Sequence, residues 1–282
     1  MTLRTLVHEG EGARPLGPGV WLDRLQPGGR FGPGKAVLNP VQGGQTWTQM
    51  FHLGDPGAAF RMTVPDIRLP ANQYWPLHWH DCWIAVVILD GSCLIGDWIM
   101  QPGDVLISAA GLEYGPLVIG PDGCQLFEVF AKLHLSAGGY APEYRDHPTL
   151  QGGSHVFMDR SAINQRNAGR MSLPVDGVDG LIKGHLNPGA SWNLGPPDDP
   201  ERGVMAYAAL APGDRIAAHS YGDWHGLFIR RGSLALAGHG LSTDDVIIAE
   251  PGALLGEIVV GPDGAEIFEV ARTALGMERI PC

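Results

Sequence analysis

Apolar residues along this chain come in short, dense runs cut by Gly, Pro and Asp. "WIAVVIL" at 83–89 is continuous and rich in β-branched residues, the pattern of a buried strand. "DGS" turns the chain, "CLIGDWIM" forms a second run, "QPGD" a second turn and "VLIS" a third run. "GPDG" at 120–123 then makes a hairpin connection ahead of "CQLFEVFA". Runs this short, with turn signals every ~8–12 residues, predict an all-β sandwich or barrel. No stretch of useful length carries a helical period, and "APEYRDHPT" predicts a short helical turn at most.

The same pattern occurs twice. Residues 78–130 align with residues 219–271 at a constant offset of 141, without a gap, and 18 of the 53 positions are identical. His78 falls on His219, Trp83 on Trp224, Asp104-Val105 on Asp245-Val246, "GPDG" on "GPDG" and "FEV" on "FEV". Many matches are glycines or turn residues, which mark fixed backbone conformations. "HLNPGASW" at 185–192 echoes "VLNPVQGGQTW" at 37–47, so each copy is expected to begin with a related leading strand. The division that follows is an N-terminal arm with leading strands at 1–50 and a first barrel at 51–140. A linker with the leading strands of the second unit covers 141–200, and a second barrel 201–282.

Composition narrows the partners. The 282 residues carry a net charge of -11 with no basic patch, which argues against nucleic acid and anionic membrane surfaces. No apolar run reaches the ~18 residues of a membrane span. The N-terminus "MTLRTLVHEGEGARPLGPGVW" lacks the apolar core of a signal peptide. Cys82, Cys93, Cys124 and Cys282 show no Cys-x-x-Cys spacing and read as reduced core thiols of a cytoplasmic protein.

Candidate chemistry starts at His78-Trp79-His80. On a strand, residues i and i+2 point to one side, so two imidazoles aimed at one spot could hold a metal. Glu113 would complete a two-His, one-carboxylate set of the kind that suits Fe(II) and oxygen, if a bulge or loop turned it inward. Tyr114 is the alternative ligand, or a proton donor to substrate. Tyr74, Trp75, Trp79, Trp83 and Trp98 crowd the same region. Trp83 recurs as Trp224, which points to core packing; Trp98 and Tyr114 do not recur and are candidates for a substrate wall. Glu128 recurs as Glu269 and reads as scaffold, a strand carboxylate bonded to backbone.

These residues resemble the cupin superfamily. Its first motif runs Gly, five residues, His-x-His, three or four residues, Glu, six residues, Gly; here His78, His80 and Gly91 fill it. Gly103 and Gly111 fit the second motif, and Gly213, His219, Gly232 and Gly252 repeat the frame in the second copy. The resemblance implies two tandem double-stranded β-helix (jelly-roll) barrels, a bicupin. The chain departs from the pattern at the ligands. Ile84 stands at the Glu position and Tyr114 at the last His, while Tyr221, His225 and Leu255 stand at three positions of the second copy.

The resemblance implies a small-molecule enzyme. The expected form is a non-haem, Fe(II)-dependent dioxygenase (Zn, Mn or Ni being the other candidate ions) without a nucleotide cofactor, acting on an aromatic or enolisable substrate. His78, His80 and Glu113 would hold the metal, Tyr114 would serve catalysis, and Tyr74, Trp75, Ile84 and Trp98 would line the substrate. His219 and His225 are metal candidates in the second barrel. The alternatives are a metal-independent isomerase, epimerase or lyase using a histidine base and Tyr114 as acid, and a non-enzymatic binding module. Duplicated barrels with exposed sheet edges also suggest a homodimer.

Overall fold

A computed structural model describes residues 13–25, 35–38, 45–54, 62–71, 73–75, 79–80, 82–112, 114–131, 175–196, 198–199 and 202–281. The first strands are β1 (Arg14–Gly17), β2 (Val20–Arg24), β3 (Lys35–Leu38), β4 (Gln45–Leu53), β5 (Met62–Leu69) and β6 (Tyr74–Trp75). Then come β7 (Ile84–Ile95), β8 (Trp98–Met100), β9 (Asp104–Ser108), β10 (Leu117–Phe130), β11 (Leu181–His185), β12 (Ser191–Leu194) and β13 (Gly203–Leu210). The last are β14 (Arg215–Ile216), β15 (His219–Tyr221), β16 (His225–Leu236), β17 (His239–Ser242), β18 (Asp245–Ala249), β19 (Ile258–Ala271) and β20 (Arg279–Pro281). Among the described residues the helical content is one 3-10 turn, Ala274–Met277. The segment "APEYRDHPT" lies outside them. No helix of the described residues is long and apolar enough to cross a membrane.

The strands form two compact units. One comprises Gly28–Met50 and Thr63–His185 and contains the first barrel. The other comprises Met1–Pro27, Phe51–Met62 and Leu186–Cys282 and contains the second. The first barrel is built on a sheet of order β11-β9-β7-β10-β5-β4-β3, with β6 on β10 and β8 on β7. The second is built on β1-β2-β18-β16-β19-β13-β12, with β14 on β19 and β17 on β16.

The duplication holds in the strand boundaries. β5, β6, β7, β9 and β10 reappear 141 residues later as β13, β14, β16, β18 and β19. Register repeats as well: Ile84 pairs with Phe130 and His225 with Ala271. Each copy also carries the same bulge. Leu89 is left over between the Ile88–Leu126 and Asp90–Gln125 pairs, and Arg230 between Ile229–Ile267 and Arg231–Glu266. Next to the matching strands β5 and β13 run β4 and β12, which carry Trp47 and Trp192 of the echoed leading segments.

An edge strand of each sheet comes from elsewhere in the chain. The N-terminal hairpin β1-β2 pairs through β2 with β18, placing Val20 opposite Ala249 and Arg24 opposite Asp245. In the first barrel β11 takes the same place against β9, with Leu181 opposite Ser108 and His185 opposite Asp104.

Inside the first barrel lies a cluster that includes Ile84, Val86, Ile88, Cys93, Leu106, Tyr114, Leu126 and Phe130. Residues 84–88 are each at most 1% exposed, so this run is covered on both faces as its continuous hydrophobicity predicts. The second barrel has a matching interior of Tyr221, Leu227, Ile229, Leu255 and Ile267. Cys82, Cys93 and Cys124 are buried; Cys282 lies outside the described residues. Trp224 is buried, whereas its counterpart Trp83 is only half-buried.

Candidate functional site

In the first barrel one polar pair lies among apolar walls. His80 ends the segment leading into β7, and its carbonyl accepts the Gly111 N–H at 2.7 Å, which ties it to the turn after β9. Tyr114 follows that turn. Its hydroxyl lies 3.0 Å from His80 Nε2, and both side chains are buried. Burial pushes the Tyr114 phenol well above its ordinary value, reinforced by Glu128 and the thiols of Cys93 and Cys82. The phenol therefore keeps its proton at neutral pH. Whichever partner donates, one proton is held between an imidazole nitrogen and a phenol oxygen. Phe130 packs edge-on against His80, ring centroids 5.2 Å apart.

Glu128 enters the same interior. On β10 it falls between Leu126 and Phe130 in the strand alternation, so it faces inward with them. The expectation of a scaffold carboxylate bonded to backbone is corrected here: its Oε2 has no hydrogen-bond partner. Burial raises the carboxyl to about 8. At neutral pH it is mostly a neutral acid, because among the described residues no positive charge offsets the cost of ionising in an apolar surround.

The remaining sequence candidates separate. His78 and Glu113 lie outside the described residues. Tyr74 and Trp75 form β6 opposite Val118 and Leu117, and their side chains lie outside the described part of the structure. Ile84 is buried in the barrel core. Trp98 is half-buried against that core, and the Lys183 ammonium lies over its ring, 4.9 Å from the centroid. Among the described residues no group of three His, Cys, Asp or Glu side chains converges on a point. The described part of the expected iron set, His80, lies within hydrogen-bond distance of Tyr114.

The second barrel carries the larger polar cluster. His219 Nδ1 lies 2.9 Å from the Ala217 carbonyl, an acceptor only, so Nδ1 carries the hydrogen. Its Nε2 is buried without a partner. Burial lowers the His219 pKa, partly offset by that backbone bond, and the ring is neutral at pH 7. Tyr221 stands between the two histidines, edge-on to His219 at 5.0 Å and stacked on His225 at 3.8 Å. Glu269 lies 3.3 Å from His225 Nε2 and 3.5 Å from the Arg279 guanidinium, and it accepts the Tyr221 hydroxyl at 3.4 Å. Burial alone would raise this carboxyl. His225, Arg279 and Tyr221 together bring it below its ordinary value, so Glu269 is ionised. Arg279 arrives on β20, which pairs with β15 through His219–Pro281 and Tyr221–Arg279.

Glu128 and Glu269, both buried, and the half-exposed Arg279 are polar groups that the sequence pattern did not single out as site residues. The recurrence of the FEV triplet marked both carboxylates. Strand alternation between Leu126 and Phe130 would have shown that Glu128 points inward.

No protein-family model matches the sequence, and no curated protein matches it. Solved structures do match. Protein Ylba from E. coli aligns with a TM-score of 0.51 at 14% identity, covering 90% of this chain and 90% of that one. Oxalate decarboxylase from Bacillus subtilis aligns with a TM-score of 0.51 at 15% identity, over 86% of this chain and 75% of that one. A putative dioxygenase from Nostoc punctiforme gives 0.51 at 14% identity, over 86% and 78%. With the repeated sheets and their matched interiors, these likenesses show the fold: an all-β chain of two barrels, as the cupin resemblance predicts.

Proposed function

We propose that the first barrel is a small-molecule enzyme site that works by acid–base chemistry, with His80 and Tyr114 as its proton-handling pair. The observation that carries this is the 3.0 Å bond between His80 Nε2 and the Tyr114 hydroxyl in a buried, apolar surround. An imidazole and a phenol held protonated give one group able to take a proton and another able to return it. That combination suits proton transfer at a carbon next to a carbonyl, the first step of isomerases, epimerases and many lyases. His80 removes the proton, and Tyr114 donates to the enolate oxygen as charge develops there. Leu255 stands in place of Tyr114 in the second barrel, so that copy lacks the pair.

A panel of enolisable carbonyl compounds tests the whole reaction class at once. The protein is incubated with the panel in D2O, and exchange at the α-carbon is read by proton NMR. Catalysed exchange that survives chelation and falls at least ~100-fold in Tyr114→Phe and His80→Asn supports the reading. No exchange across the panel sinks it.

The second reading is the iron-dependent oxidation that the His-x-His motif suggests, and the structural likeness to a putative dioxygenase accords with it. A bound Fe(II) would supply Lewis acidity and a site for oxygen. The described residues alone do not fit such an ion: they offer His80 in a bond to Tyr114 and a carboxyl, Glu128, that is neutral at pH 7. Exchange abolished by chelator and restored by a divalent metal favours this reading over the first.

A further inference from the structure

We propose that the first barrel takes a small molecule bearing a cationic nitrogen group, an alkylammonium, amidinium or guanidinium, and that Glu128 receives it. The inference rests on the reading of that barrel as a small-molecule site and specifies the ligand class. It comes from comparing the two copies. Glu128 and Glu269 are the same residue of the repeat, on matching strands in matching register, opposite Val86 and Leu227. Both are buried and face their barrel interiors. In the second barrel the chain itself supplies what such a carboxylate binds: the Arg279 guanidinium at 3.5 Å, His225 at 3.3 Å and the Tyr221 hydroxyl at 3.4 Å.

Among the described residues of the first barrel those partners are missing. Ile84 replaces His225 and His80 replaces Tyr221, and no arginine or lysine among the described residues pairs with Glu128. Among the described residues, the titratable groups around Glu128 are Tyr114 and Cys93, with Cys82, Cys124 and His80 beyond them. None of the four thiol and phenol groups is cationic. A buried carboxyl with an unsatisfied oxygen is costly to keep. It is complementary to a ligand that brings both a hydrogen-bond donor and a positive charge. Phe130, next on the same face of β10, and the Tyr114 ring add aromatic surface suited to a cation. Because the empty carboxyl is neutral at pH 7, one proton leaves it for solvent as the cation arrives.

The probes are methylguanidinium and ethylammonium, with urea as the neutral isostere, titrated into the full-length protein by calorimetry. Expected are binding of at least one cation at a single site and ~10-fold or greater discrimination against urea. Affinity should be ~10-fold or more weaker at pH 6 than at pH 9, and about one proton should be released at pH 7, read from two buffers of different ionisation enthalpy. Glu128→Gln should abolish binding, with thermal melting as the check on folding. If that variant does not fold, the wild-type selectivity and proton count decide the matter. Equal binding of urea, cation binding retained in Glu128→Gln, or no cation binding at all overturns the proposal. Binding is read without turnover, so cation binding without deuterium exchange defeats the acid–base reading alone. Exchange without cation selectivity defeats this proposal alone.

Discussion

The ring of Tyr221 lies flat against the ring of His225, centroids 3.8 Å apart and planes 20° from parallel. The corresponding residues of the first barrel are His80 and Ile84, so that stack has no equivalent there. His80 instead meets Tyr114, whose own counterpart is Leu255. Each barrel thus keeps a histidine–tyrosine contact but builds it from different positions of the same frame. The consequence falls on the shared glutamate, neutral in the first copy and ionised in the second.

Glu128 makes the first barrel less stable as pH rises. Its folded pKa of about 8 lies above its ordinary value of 4.5. Between those values the folded state holds a proton that the unfolded state has lost, so stability declines with pH across that window. Glu128→Gln removes the dependence. Denaturant midpoints of wild type and variant should nearly coincide at pH 4.5 and diverge in the variant's favour by pH 8. The gap is of order 3 kcal/mol, at ~1.4 kcal/mol per pKa unit with an allowance for relaxation. Parallel profiles would refute it.

Arg279 works in the opposite direction. The Glu269 carboxyl is lowered in the folded state, so its contribution is present above pH ~4.5 and is lost as pH falls through the folded value. Arg279→Met leaves Glu269 with His225 and Tyr221 and should cost the second barrel about 1–2 kcal/mol at pH 7, after discounting the guanidinium's 40% exposure. The cost should shrink at pH 3. Chemical denaturation at the two pH values measures it, and a cost independent of pH would show that Arg279 acts through packing.

His219 should be the Nδ1–H tautomer and remain neutral below the usual histidine range, because its Nδ1 donates to Ala217 and burial disfavours the charged ring. Nitrogen-15 NMR of the ring distinguishes the tautomers directly. An Nε2–H signal at pH 7 would contradict the geometry.

Ala237 is held at φ 49°, in the left-handed region, where its counterpart Gly96 sits at φ 60°. A side chain there is strained and glycine is not. Ala237→Gly should stabilise the second barrel by about 0.5–1 kcal/mol, the strain relief less the extra unfolded-chain entropy. Asp244, at φ 74° where the first copy has Gly103, should gain less on the same change, since Asp tolerates that region better. Melting curves that place Asp244→Gly above Ala237→Gly would reverse this order.

Much of the fold was legible because its signals are local. The offset of 141 between His78 and His219 carries through strand limits, register and even the bulge at Leu89 and Arg230, since turn glycines and apolar alternation act within one hairpin. The candidate site was legible only in part. His80 and Tyr114 were expected to share a site and do meet. His78 and Glu113, the other two residues expected there, fall outside the described residues.

The sequence by itself determined the duplication and the all-β class, because strand periodicity and turn chemistry are written into neighbouring residues. Tertiary structure alone decided which edge strand completes each sheet, where Glu128 and Glu269 point, and that Arg279 comes to rest beside Glu269. Those outcomes join residues far apart in the chain, such as Val20 with Ala249, Leu181 with Ser108 and Arg279 with Tyr221. The charge state of a carboxyl depends on what surrounds it after the chain has closed, which no local pattern encodes.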